Sequence, residues 1–393
     1  GCQLLNRVEE RVAAAIRRER EKVLGADSIR GLWPRALKDM SSLGMSPDDI
    51  LAVLADVDVQ PVLTAHPTEA KRGSVRERHR ALYDELVRSE YPKYTDRERR
   101  RIRERIVTAL ETLWRTGEIY LSKPSVEMER QGIEYYLEQI FPTVVGKLHR
   151  RLIQAWKSVG FDPATLEGRR PKLSFGTWVG GDRDGHPLVS PQVTEETLAS
   201  FRLGALRMHK RTLEQLRAHL SLAQSLQPVP ARLLEAIAAQ WEIIGNKAAS
   251  LCERNEGEPW RQYMSLLIAR LPLQEGGSVG SPELSTDYFT SYRRSNELID
   301  DLRVLRESLI EVDAQRIVEE EVDPVIRQVE IFGFYLATLD IRQNSGFHDR
   351  AMSQILRALG HQRVDFDQWT EKERIDFLTA QLSGSKRGLR PDQ

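Results

Sequence analysis

Lys172-Leu-Ser-Phe-Gly-Thr-Trp178, followed after Val179 by Gly180-Gly-Asp-Arg-Asp-Gly-His-Pro187, decides how this 393-residue chain is read. The first segment is a short apolar run, the pattern of a buried strand, and the second is a polar, glycine-rich turn at that strand's C-terminal end. Two other places repeat the arrangement. Gln60-Pro-Val-Leu-Thr-Ala65 leads into His66-Pro-Thr-Glu-Ala-Lys-Arg72, and Phe334-Tyr-Leu-Ala-Thr-Leu339 leads into Asp340-Ile-Arg-Gln-Asn-Ser345. Polar chemistry at strand C-termini, with long helices between, is how a parallel α/β barrel presents a site. Three strands leave such a barrel incomplete.

Outward from these segments the periodicity is helical. Ile102, Ile106, Leu110, Leu113 and Trp114 form one apolar stripe on a segment otherwise full of Arg and Glu. Similar patterns run through 126–158, 194–224, 230–255, 258–271, 290–320 and 347–359. The expected fold is therefore mainly α, a TIM-type α/β barrel with many extra helices and incomplete in this chain. Residues 1–59 read as a helical lead-in and 60–393 as a partial barrel with inserted helices. Leu273-Gln-Glu-Gly-Gly-Ser-Val-Gly-Ser-Pro-Glu283 reads as a flexible loop. Its Gly276, Ser278 and Gly280 match the G-x-S-x-G pattern of a hydrolase elbow, but without the strand before and the helix after that give the pattern force.

Composition narrows the function. At 40% hydrophobic the chain can bury a large core, which excludes disordered and fibrous classes. Lys plus Arg and Asp plus Glu both number 58, so no overall positive charge draws nucleic acid or an anionic membrane. Any anion site must be local. The Arg-rich run Asp96–Arg105 reads as a solvated helix face, given its acidic neighbours and apolar stripe. Cys2 and Cys252 are too few for a disulfide framework or a Cys-ligated zinc site, which fits a reducing cytosol. The stretch Gly1–Glu21 is too charged for a signal peptide or a bilayer span, and the expectation is a soluble cytoplasmic protein.

Each polar cluster has a chemical reading beside a structural one. His66 at a strand end, with Pro67, Lys71 and Arg72 near a helix start, makes an anion-binding corner with a group that moves a proton near neutral pH. A capping histidine beside a solvated Lys-Arg pair has the same sequence. In the second cluster the glycines permit a tight turn, and Arg183, held between Asp182 and Asp184, can still present donors to a phosphate or carboxylate; a plain structural turn reads alike. An EF-hand starting at Asp182 fails, because Pro187 and Val193 stand where Gly and Glu are required. In the third, Arg342 is either a clamp for an anionic substrate or half of a buried ion pair with Asp340. No dinucleotide fingerprint or Walker A pattern is present.

Taken together, Leu63-Thr-Ala-His-Pro-Thr-Glu69, Gly180-Gly-Asp-Arg-Asp-Gly185 and Leu339-Asp-Ile-Arg-Gln343 resemble phosphoenolpyruvate carboxylase motifs in order and spacing. The similarity runs from about Gln60 to Lys386-Arg387 and includes Phe332-Gly333. The resemblance implies a mostly helical elaboration of a TIM-type barrel. It also implies a cytoplasmic homotetramer that needs Mg²⁺ or Mn²⁺ and is inhibited allosterically by aspartate or malate. It makes His66 the essential histidine, Arg342 a ligand of the substrate phosphate, Trp178 a wall of the site, and Arg183 and Arg72 motif arginines.

The implied reaction takes phosphoenolpyruvate and bicarbonate to oxaloacetate and phosphate. Bicarbonate attacks the phosphoryl group to give carboxyphosphate and the enolate of pyruvate. His66 takes the carboxyl proton of carboxyphosphate, and the enolate attacks the carbon dioxide released. Gly73, His186, Asn344 and Phe347 depart from the family's usual Arg, Asn, Glu and Arg, which places the chain in a divergent branch. Gln393 comes before the family's metal-binding carboxylates, its Lys-bearing aspartate motif and its glycine-rich arginine loop. The expectation is an N-terminal part of a family chain, inactive alone, with the metal ligands in the C-terminal part. The alternative from another class is a non-catalytic helical anion-binding fragment or a degenerate relative.

Overall fold

A computed structural model describes residues 2–64, 73–116, 125–166, 168–184, 188–275, 282–287 and 289–383. Helix accounts for 69% and strand for 5%, so the mainly α class holds. Local chemistry starts several of the helices where the sequence does. Ser46 and Asp49 form a capping box on Pro47–Asp56, and Thr95 and Glu98 form one on Asp96–Arg115. Ser190 caps the longest helix, Pro191–His219, by accepting from the Val193 backbone at 3.3 Å, with Pro191 in the first turn.

The strands are β1 (Asp58–Val59), β2 (Val62–Leu63), β3 (Lys172–Leu173), β4 (Gly176–Thr177), β5 (Leu273–Glu275), β6 (Pro282–Leu284) and β7 (Thr338–Leu339). β2, β4 and β7 form a parallel sheet in that order, with Val62 and Thr338 both opposite Gly176. β1 pairs in parallel with β3, so residues 58–63 and 172–177 run side by side through two consecutive ladders. All three expected strand segments are present and mutually parallel, but each is shorter than the apolar run that announced it. The first also begins earlier, at Asp58.

The largest difference lies at Phe334–Ala337, which is apolar enough for a strand yet forms a turn. Gly333 caps the Asp323–Phe332 helix at φ +51°, and Leu336 is left-handed at φ +57° while completely buried. A left-handed leucine is unfavourable, and burying its side chain in the core offsets that strain. The segment expected as a loop at 273–283 also differs, because β5 and β6 pair antiparallel, Leu273 opposite Leu284. Gly276, Ser278 and Gly280 lie outside the described residues.

Among the described residues three large apolar cores and one small cluster of Ala248, Cys252 and Leu266 carry these elements. The one beneath the parallel sheet stacks Phe141 on Phe175 at 4.7 Å and Phe175 on Phe332 at 5.2 Å, with Val179, Phe201 and Leu336 around them. A second, larger core surrounds Trp260, Tyr263, Leu213 and Leu302 among the helices from Pro191 to Phe332. A third packs Leu37, Ile50 and Leu54 against Trp156 and Leu166. Among the described residues no helix is long and apolar enough to cross a membrane.

Candidate functional site

The C-terminal ends of β4 and β7 bring two of the polar clusters together. Beyond the ladder the chains stay in register: the Asp340 backbone N–H donates to the Thr177 carbonyl at 2.8 Å, Arg342 to Gly181 at 3.1 Å, and Arg183 to Arg342 at 2.9 Å. Asp182 and Arg342 thereby form a parallel bridge past the strand ends. Two glycines make this possible. A Cβ on Gly181 would stand 2.4 Å from the Asp340 carbonyl oxygen, and Gly180 sits at φ +86° where a Cβ would meet the Thr197 hydroxyl at 2.3 Å. Only glycine allows the two backbones and the Pro191–His219 helix to come this close.

The Arg342 guanidinium lies over the Trp178 ring, 4.4 Å from its centre. It approaches the Asp182 carboxylate at 4.0 Å, longer than a hydrogen bond, and its side chain is 50% exposed. Arg342 is thus oriented by a ring and a carboxylate while its N–H donors stay open to solvent. The alternative of a buried pair with Asp340 is not what forms.

Arg183 behaves differently from the expectation that its flanking aspartates hold it. Its Nη2 donates to the Thr194 hydroxyl at 3.0 Å, and that hydroxyl in turn donates to the Gly180 carbonyl at 2.8 Å. Thr194 is 4% exposed, so the tether is buried. Asp182 faces Arg342, and its carboxylate also accepts from the Asp184 backbone at 3.0 Å, closing a local turn. Arg183 Nε is buried without a hydrogen-bond partner.

Of the five residues singled out from sequence, Trp178, Arg183 and Arg342 therefore sit at one set of strand ends. His66 and Arg72 lie outside the described residues, as does His186. β2, which leads toward His66, ends beside β4 in the same parallel sheet. Asp182 and Thr194 were missed as partners. For Asp182 the signal was its place beside a strand-end arginine's register. For Thr194 there was none, because it lies eleven positions along the chain from Arg183.

The sequence has relatives. The family model described as phosphoenolpyruvate carboxylase matches residues 2–393. A phosphoenolpyruvate carboxylase of Methylorubrum extorquens is 33% identical over 87% of this chain and 36% of its own length. One of Roseiflexus castenholzii is 30% identical over 98% of this chain and 41% of its own length, and one of a Nostoc species is 28% identical over 91% and 35%. The chain thus spans about two fifths or less of these relatives. With the match running through all but one of its residues, the chain belongs to the phosphoenolpyruvate carboxylase family.

Proposed function

We propose that this chain is the N-terminal part of a phosphoenolpyruvate carboxylase, forming oxaloacetate and phosphate from phosphoenolpyruvate and bicarbonate. The observation that carries the reading is Arg342, stacked on Trp178 and half exposed at the ends of parallel strands. A guanidinium held on one side and open on the other is suited to a phosphate, which it can grip with two parallel N–H donors. Arg183 and Arg72 add positive charge to the same clamp, and Trp178 forms a wall that keeps water from one side. His66 takes the carboxyl proton of carboxyphosphate; the C–O bond to phosphate breaks, and the enolate captures the carbon dioxide. The three parallel strands, which lie side by side in the sheet in the order they occur in the chain with helices between them, support the start of a TIM-type barrel.

Among the described residues no group of three or more His, Cys, Asp or Glu side chains could hold the family's Mg²⁺ or Mn²⁺. No step is assigned to it, and its ligands are proposed in the part of the protein beyond this chain. A cytoplasmic homotetramer, regulated allosterically, completes the reading.

The test is His66→Asn in the full-length enzyme. Phosphoryl transfer to bicarbonate does not need the base, whereas decarboxylation of carboxyphosphate does. Oxaloacetate output should fall by about 10²–10⁴-fold, while bicarbonate-dependent consumption of phosphoenolpyruvate persists and pyruvate accumulates. A folded variant with an unchanged pyruvate-to-oxaloacetate ratio removes His66 from the mechanism.

A further inference from the structure

Away from the strand ends, a cavity of about 1180 Å³ opens between three helices, Cys2–Leu24, Trp33–Ser42 and Phe141–Ser158. The first of these is inverted relative to an ordinary surface helix. Ala14, Arg17, Arg18 and Glu21, spaced at three and four residues on one face, line the cavity. Val12, Ile16 and Val23 face outward at 52%, 65% and 66% exposure. A helix normally turns its apolar stripe to the body of the protein; here the charged stripe points there instead.

The lining sets four cations, Arg17, Arg18, Lys38 and Arg151, against two carboxylates, Glu21 and Asp27. Lys38 is committed to Asp27, whose carboxyl that ion pair holds below its usual range. Arg17 and Arg151, from the first and third of these helices, form no ion pair or hydrogen bond among the described residues. Arg18 has only a longer-range attraction to Glu90. Positive charge therefore exceeds negative, and the arginines' donors are unspent. Trp33, Pro34 and Ala155 contribute apolar surface, with Trp33 partly buried against the Leu37 and Trp156 core. The volume slightly exceeds that of a typical small-molecule pocket.

We propose that this cavity binds a small organic phosphate, its anionic head among Arg17, Arg18 and Arg151 and its apolar body over Trp33 and Pro34. Arginine is the residue suited to the head, since its planar fork matches phosphate. Apolar area beneath that head favours an ester over free phosphate.

Titration calorimetry of the full chain with phenyl phosphate, inorganic phosphate and phenol tests this. Phenyl phosphate should bind saturably and more tightly than inorganic phosphate, and phenol should not bind. The double variant Arg17→Glu, Arg151→Glu should weaken phenyl phosphate by about tenfold or more, as expected when charge-assisted hydrogen bonds are lost. A matched double variant on the same helices outside the cavity, Arg20→Glu, Lys147→Glu, should retain binding. All four positions are exposed, so folding is not at stake. Absence of saturable binding, equal affinity for phosphate and its phenyl ester, or equal loss in both double variants overturns the proposal.

Discussion

Arg342 and Arg270 each sit over an aromatic ring beside an aspartate, and they differ in nearly everything else. Arg342 lies over Trp178 with Asp182 at 4.0 Å and half its side chain exposed. Arg270 lies 4.1 Å over Tyr292, 12% exposed, and donates to the Thr290 carbonyl at 3.1 Å, to Gln240 at 2.9 Å and to Asp301 at 3.2 Å. Asp301 also accepts from the Tyr292 hydroxyl at 2.7 Å and from Gln240 at 3.1 Å, and its carbonyl accepts from Tyr263 at 3.1 Å. Burial and the Asp301 charge keep both phenols protonated well above their ordinary range. The helical network is closed: its donors and acceptors are spent on one another. The strand-end trio is oriented but its donors are unspent.

The comparison breaks most easily at Asp301. Replacing it with Ala leaves Arg270 largely buried without its carboxylate and takes acceptors from two buried groups, so urea unfolding should show a loss of about 3–5 kcal/mol. A loss below about 1 kcal/mol would put the network on the same footing as the exposed trio.

His209 sharpens the contrast through pH. It is 1% exposed, its Nε2–H donates to the Gly333 carbonyl at 2.6 Å, and its Nδ1 lies 3.4 Å from the Gln328 amide. Both contacts suit a neutral ring, and burial lowers its pKa to about 4. The unfolded chain takes up that proton below about 6.5 while the folded chain does not. Stability contributed here is thus complete above pH 6.5 and is lost as pH falls toward 4, at about 1.4 kcal/mol per pH unit. His149, buried among Arg170, Arg327 and Arg150 and lowered to about 3, adds a similar slope. His209→Gln should flatten the acid limb of the stability curve relative to the parent; an unchanged slope would mean that the ring titrates normally in the fold.

The smallest stability effect is expected at Arg342. An exposed pair at 4.0 Å contributes little, so Arg342→Met should change unfolding free energy by less than about 1 kcal/mol. If the proposed function holds, phosphoenolpyruvate should stabilise the full-length protein against heat, and the same variant should abolish that stabilisation. A large stability loss with ligand stabilisation intact would make Arg342 another closed knot.

Much of this was legible in the residues. The strand–polar turn pattern announced three parallel strands, and β2, β4 and β7 lie within the segments it named. The capping boxes at Ser46 and Thr95 are local, since each depends on residues three apart. Phe334–Ala337 misled because apolar composition records burial and not backbone shape: Leu336 is buried in a left-handed turn. Arg183 misled because proximity in sequence favoured its neighbouring aspartates, whereas the fold offers the Thr194 hydroxyl.

By itself the sequence determined the helical class, the parallel strands, the polar clusters at their ends and the family resemblance, because periodicity, turn chemistry and motif spacing are properties of neighbouring residues. Only the tertiary structure decided which arginine is spent and which is open. That depends on the close approach that Gly181 permits between the β4 and β7 extensions, on the Trp178 ring beneath Arg342, and on the distance to a carboxylate 160 residues away. Interaction energies at such sites fall with distance and with exposure to water, and neither quantity exists until the chain has folded.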